Sequence, residues 1–141
     1  MLRPVKWAGL LAGIALLSLS GCSLGADEEK GSTEPAHGAP KQVATAVQAL
    51  ERAIRDRDWG AICDDLFTPA ARRRAGGRDC ARLVRSSAGD LRRPTIELLA
   101  IDLKRGVAQA RVRTRARGQA PLTDTITLRR SDGRYRIDSL R

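Results

Sequence analysis

The sequence predicts an α+β fold over residues 41–141, with N-terminal helices packed on the concave side of one curved antiparallel sheet of about four strands. Two observations carry this. Apolar residues recur at helical spacing up to about residue 87, and after Pro94 the period changes to two. Helices first and a meander afterwards is the order of a two-layer domain whose sheet buries one face under the helices.

The elements follow in order. Over residues 42–57, Val43, Val47, Leu50 and Ile54, with Ala46 and Ala53, share one helical face, while Glu51, Arg52, Arg55 and Asp56 share the other. Trp59-Gly60 is read as a turn, and Ile62, Cys63, Leu66 and Phe67 as a short second helix. Thr68-Pro69 is an N-cap followed by proline at the first helical position, starting a third helix through Arg74 that Gly76-Gly77 ends. Asp79 is the expected cap of a fourth helix over 80–87 that buries Cys80, Leu83 and Val84. Residues 95–104 are apolar on both faces and read as a well-buried strand. Over 107–117, Ala108, Ala110, Val112, Thr114 and Ala116 alternate with Arg111, Arg113, Arg115 and Arg117, which point the other way. Leu122, Ile126 and Leu128 are the inner face of a third strand, with Arg129 outside. Asp132-Gly133 supplies the positive φ of a tight hairpin turn into a last strand with Tyr135 and Ile137 inside and Arg134, Arg136 and Asp138 outside.

Ahead of the domain, Arg3 and Lys6 precede an apolar stretch that ends in Leu19-Ser20-Gly21-Cys22. That stretch is shorter than the ~20 residues needed to span a bilayer and reads as an export signal over residues 1–21. Leu19-Ser20-Gly21-Cys22 resembles a bacterial lipobox. The resemblance implies cleavage before Cys22 and a diacylglyceryl group on its sulfur, holding the chain at the extracytoplasmic face of the cell membrane. Two acyl chains anchor stably where one exchanges, at about 0.8 kcal/mol per buried methylene. Residues 22–40, rich in Gly, Ser, Ala, Pro and acidic side chains, have the composition of a flexible acidic linker. The single histidine, His37, lies there and has no catalytic partner in sequence.

Charge is strongly asymmetric. Residues 41–141 hold 23 basic against 12 acidic side chains, and 21 of the basic ones are Arg. Such a surface attracts anionic lipid, cell-wall polymer or acidic protein, with an attraction that salt weakens. An exported chain does not meet nucleic acid, so none is expected as a partner. With Cys22 given to lipid, Cys63 and Cys80 remain, and an even pair in an oxidising compartment reads as one disulfide. Closing a loop near the ~15-residue case contributes about 3 kcal/mol in the chain-entropy treatment.

The run Asp58-Trp59-Gly60-Ala61-Ile62-Cys63 leading to Leu66-Phe67-Thr68-Pro69-Ala70-Ala71-Arg72, the later Cys80-Ala81, and the closing Gly133-Arg134-Tyr135-Arg136-Ile137-Asp138 resemble small exported actinobacterial lipoproteins with a nuclear transport factor two-like fold. The resemblance implies a cone-shaped domain. Enzymes of that superfamily, ketosteroid isomerase and scytalone dehydratase among them, use an Asp base or an Asp-His pair in an apolar pocket. This domain has no His, and Asp64, Asp102 and Asp124 are the carboxylates able to reach an interior. No nucleophile-base pair, phosphate loop or metal-ligand cluster is present in sequence, so no cofactor is expected. The functional expectation is a membrane-anchored, noncatalytic binding or interaction module. The alternatives are a small-molecule pocket protein and an isomerase- or dehydratase-like enzyme. The candidate face for an anionic partner comprises Arg111, Arg113, Arg115, Arg117, Arg129, Arg134 and Arg136. Alternating charge is also how a half-buried antiparallel sheet meets water.

Overall fold

The computed structural model describes residues 38–141. The signal, Cys22 and nearly all of the linker lie outside the described residues. Helix α1 (Ala39–Asp56) begins two residues before the expected domain boundary, with Pro40 in its first turn, where a missing N–H costs nothing. It buries Val43, Ala46, Val47, Leu50 and Ala53, the stripe its sequence period predicts. Arg57 ends it in a left-handed conformation, φ 60°.

Trp59-Gly60 does not turn the chain. The Asp58 carboxylate accepts from the Ala61 N–H at 3.0 Å and starts helix α2 (Trp59–Ala61), which runs straight into a π-helical turn, Ile62–Leu66. Thr68 caps α3 (Pro69–Arg74) as expected, its hydroxyl accepting from the Ala71 N–H at 3.0 Å. Helix α4 (Cys80–Ala88) follows a 3-10 turn, Gly77–Asp79. Asp79 makes no capping bond and pairs with Arg82 at 3.6 Å instead.

Strands β1 (Thr95–Lys104), β2 (Val107–Arg115), β3 (Leu122–Ser131) and β4 (Arg134–Leu140) form one antiparallel sheet in the order β1-β2-β3-β4. The hairpin at Asp132-Gly133 has φ 52° and 78°, as the sequence requires. Strand β2 stops at Arg115, so Ala116 and Arg117 lie beyond it. The expectation of a well-buried first strand fails, because β1 is an edge strand with no fully buried residue. Its two apolar faces have one physical cause. Pairing steps from Leu98↔Val112 to Ala100↔Arg111, which leaves Leu99 as an extra bulged residue. The bulge reverses the alternation, so Leu98 before it and Ile101 after it both oppose inward-facing residues of β2.

A second bulge sits between β3 and β4, where Thr127↔Ser139 gives way to Leu128↔Ile137 and Asp138 is the extra residue. It sets Leu140 opposite the buried Ile126 and frees the Asp138 carboxylate to reach past the sheet. The core joins the α1 stripe to Ile62, Phe67, Ala108, Ala110, Val112, Ile126, Leu128 and Ile137. Phe67 bridges to Ile137 along the free edge of β4. No helix among the described residues is long and apolar enough to cross a membrane.

Candidate functional site: an apolar hollow between helices and sheet

Two adjoining cavities lie between the helices and the sheet. One of about 430 Å3 is lined by Ile62, Phe67, Leu83 and Val84 among others. The second, about 260 Å3, is lined by Ile96, Val112, Leu122, Asp124 and Ile126 among others. They share Leu50 and Ile54 of α1, Ala88 of α4 and Leu140 of β4. Three of the four large apolar side chains that remain exposed among the described residues, Leu83 (40 %), Leu122 (60 %) and Leu140 (52 %), rim the hollow, and the fourth, Leu103 of β1, lies elsewhere. Leu83 was expected in the core. It is exposed because α4 buries only Cys80 fully and leaves the cavity open under its Leu83 side.

Gly76 shapes this rim. Its φ is 101°, and a Cβ there would collide with the Leu83 side chain. Gly76→Ala is therefore expected to cost about 1–2 kcal/mol, from the left-handed backbone together with displacement of Leu83, read as a lowered midpoint in urea.

Of the three candidate carboxylates, one reaches the hollow. Asp124 pairs in register with the inward-facing Val112 and lines the smaller cavity beside Thr114 and Gln119. Asp64 pairs with Arg72 at 2.9 Å and Asp102 with Lys104 at 3.3 Å, both at the surface. Among the described residues no cluster of three or more His, Cys, Asp or Glu side chains gathers to hold a metal.

Cys63 and Cys80 form a disulfide with Cα atoms 6.1 Å apart, tying the π-helical turn to α4. Since Cys80 is the fully buried residue of α4, this bond holds the helix that closes one side of the hollow.

The seven arginines do not make one bare face. Arg113 and Arg115 flank Glu97 of β1 at 3.7 and 3.4 Å, an edge-strand partner that the sequence did not disclose. Arg129 bonds the Asp138 carboxylate through Nε at 3.1 Å. Arg136 is only 15 % exposed, lying between Asp132 at 3.7 Å and the Asp64 carbonyl at 3.4 Å, with its Nε buried and unpartnered. Arg117 lies past the end of β2, and Arg111 and Arg134 are exposed and unpaired among the described residues.

Asp138 joins the helices to the sheet. It accepts from the Thr68 hydroxyl at 2.9 Å and pairs with Arg74 at 3.3 Å, besides Arg129. Burial raises its pKa, but the bonds from Thr68, Arg129 and Arg74 and the Arg74 charge together outweigh it and hold the carboxyl below the usual range.

Helices laid on a four-stranded antiparallel sheet around an apolar hollow define an α+β domain. The fold is NTF2-like: the chain is similar to a solved "De novo designed NTF2 fold protein NT-9", at 16 % identity and a TM-score of 0.51, over 74 % of this chain and 87 % of that one. No protein-family model matches the sequence, and no curated protein does.

Proposed function

We propose that this chain is an extracytoplasmic lipoprotein, anchored through Cys22, that binds a small apolar molecule in the hollow of its cone. The observation that carries the binding half is the pair of cavities that share Leu50, Ile54, Ala88 and Leu140 as lining, with exposed leucines at their rim. Exposed apolar side chains cost free energy in water, and their grouping around a concave apolar wall is what a ligand site requires. The anchoring half is supported by Leu19-Ser20-Gly21-Cys22 behind a basic and apolar leader. Ion pairing of Arg113 and Arg115 with Glu97, and of Arg129 with Asp138, weakens the sheet face as the principal contact for anionic lipid, cell-wall polymer or acidic protein.

Thermal unfolding with naphthalene-sized neutral compounds tests the binding. The midpoint is expected to rise with ligand concentration, by the mass-action relation for a ligand that binds only the folded state. A midpoint indifferent to every such compound contradicts the reading. For the anchor, mass spectrometry of membrane-extracted protein is expected to find a diacylglyceryl group on Cys22, and Cys22→Ala to release the chain.

A second reading is favoured by Asp124, a carboxylate beside Thr114 and Gln119 on the wall of a mainly apolar cavity. There it accepts a hydrogen bond from a hydroxyl or amine of the ligand, or serves as the base of an isomerase-like reaction. Asp124→Asn is expected to lower affinity for ligands that carry a donor while leaving purely apolar ones unaffected.

A further inference from the structure

Outside the hollow, a recess of about 540 Å3 lies between the C-terminal end of α1, Trp59 and the segment from Gly89 to Thr95. Arg55, Arg57, Arg92 and Arg93 line it, Trp59 and Leu91 add apolar walls, and no acidic residue does. Arg55 is neutralised by Glu51 in the preceding turn, and Glu51 is also held by the Ile96 N–H at 2.7 Å. Arg57, Arg92 and Arg93 have no ion-pair partner among the described residues. The nearby Asp58 carboxylate is occupied in capping α2.

Two of these three arginines also hold left-handed backbone, as Arg105 and Asp132 do at the hairpin turns. Arg57 has φ 60° and Arg93 has φ 48°, both left-handed, where glycine is the inexpensive residue. Arg93 also precedes Pro94, which pushes the residue before it toward extended backbone. The Arg92 carbonyl accepts from the Arg117 N–H at 2.8 Å, which fixes the segment to the end of β2 and brings a further arginine to its border. At Arg57 the conformation is the left-handed cap of α1, its N–H bonding the Ala53 and Ile54 carbonyls, whereas Arg93, left-handed ahead of Pro94, is the more strained of the two.

Charge defines what fits. The C-termini of α1 and α4 each contribute about half a negative charge. Among the groups that line the recess, three unpaired guanidiniums against those two ends leave a surplus of positive charge, with the Asp58 and Asp90 carboxylates outside the lining. A phosphate monoester carries about −1.5 to −2 at neutral pH and accepts the paired N–H donors of arginine forks.

We propose that this recess is a binding site for a phosphate monoester, held by Arg57, Arg92 and Arg93, with the organic part of the molecule against Trp59 and Leu91. The recess shares Ile54 and Leu91 with the walls of the apolar hollow, but Arg57, Arg92 and Arg93 line the recess and not the hollow, so the phosphate proposed here is tested independently of the ligand proposed there. A monoester reaches it from a soluble metabolite or as the headgroup of a lipid in the membrane to which the chain is proposed to be anchored.

The test is calorimetric titration of the full chain with glycerol 1-phosphate, and sedimentation with phosphatidic acid in phosphatidylcholine vesicles against phosphatidylcholine alone. Saturable binding of glycerol 1-phosphate at one site is expected, weakened at least about tenfold in Arg57→Gly/Arg93→Gly. Because glycine suits both backbone positions, the midpoint of that variant is expected to equal or exceed wild type, so lost binding is not lost folding. Arg92→Ala is expected to weaken binding without touching either strained position, and Arg113→Ala/Arg115→Ala to leave it unchanged. Binding to phosphatidic acid vesicles alone, lost in the glycine variant, supports the site and assigns it to a lipid headgroup. No saturable binding in either arm, or binding equal in the glycine variant and wild type, overturns the proposal.

Discussion

Replacing Cys63 and Cys80 with alanine together is expected to lower stability by about 3 kcal/mol and the thermal midpoint by more than about 10 °C. The residues are 17 apart, so the crosslink removes a substantial part of the freedom of the unfolded chain, and both are buried in the native state. The loss is expected to be uneven. Helix α4 buries Cys80 alone fully, with Ala81 and Val84 packed partly against the core, whereas β2 and β3 contribute Ala108, Ala110, Val112, Ile126 and Leu128. Amide exchange is therefore expected to accelerate most over α4 while the central strands stay protected. The apolar hollow should open as that wall loosens. A uniform change in exchange across the domain, or unchanged stability, contradicts this assignment.

Asp138→Asn is expected to cost about 2–3 kcal/mol near neutral pH, the range for hydrogen bonds to a charged group whose partners are left behind. The side chain is only 16 % exposed, and it holds Thr68 at the start of α3, Arg74 at its end and Arg129 of the sheet. The pH dependence has a definite sign. The folded carboxyl titrates below its ordinary value of 3.8, so its contribution is present above about pH 4 and is lost as pH falls through the lowered value. The stability gap between wild type and Asp138→Asn should hold from neutral pH to about pH 5 and narrow below about pH 4. Urea unfolding across that range measures it, and a gap that widens on acidification contradicts the network.

Most of the architecture was legible in the residues. The α1 stripe, the Thr68-Pro69 start, the switch of period after Pro94 and the Asp132-Gly133 hairpin each rest on local physics that the tertiary structure does not override. The two bulges were not legible, since nothing local distinguishes Leu99 or Asp138 as the residue left without an opposite number. That one gap caused two errors, the reading of β1 as buried on both faces and the absence of Leu140 from the inner surface. The hollow was illegible for a related reason. A sequence shows which side chains are apolar, and packing decides that Leu83 and Leu140 surround space instead of filling it. Pairing of Glu97 with Arg113 and Arg115 depends on strand register across two elements, which charge alternation within one strand cannot reveal. The Arg57, Arg92 and Arg93 recess joins positions 35 and more residues apart through a helix end and a loop, with no periodic signal to announce it.

Fluorescence titration of the full chain with a neutral naphthyl probe, on wild type and on Ala88→Trp, measures the proposed ligand site most directly. Ala88 lines both cavities, so an indole at that position takes up room at the wall they have in common, at the end of α4. Wild type should show one saturable site, weakened at least about tenfold by Ala88→Trp with unfolding still cooperative. Failure of the wild type to saturate, or equal affinity in both chains, means that the cone does not hold the ligand.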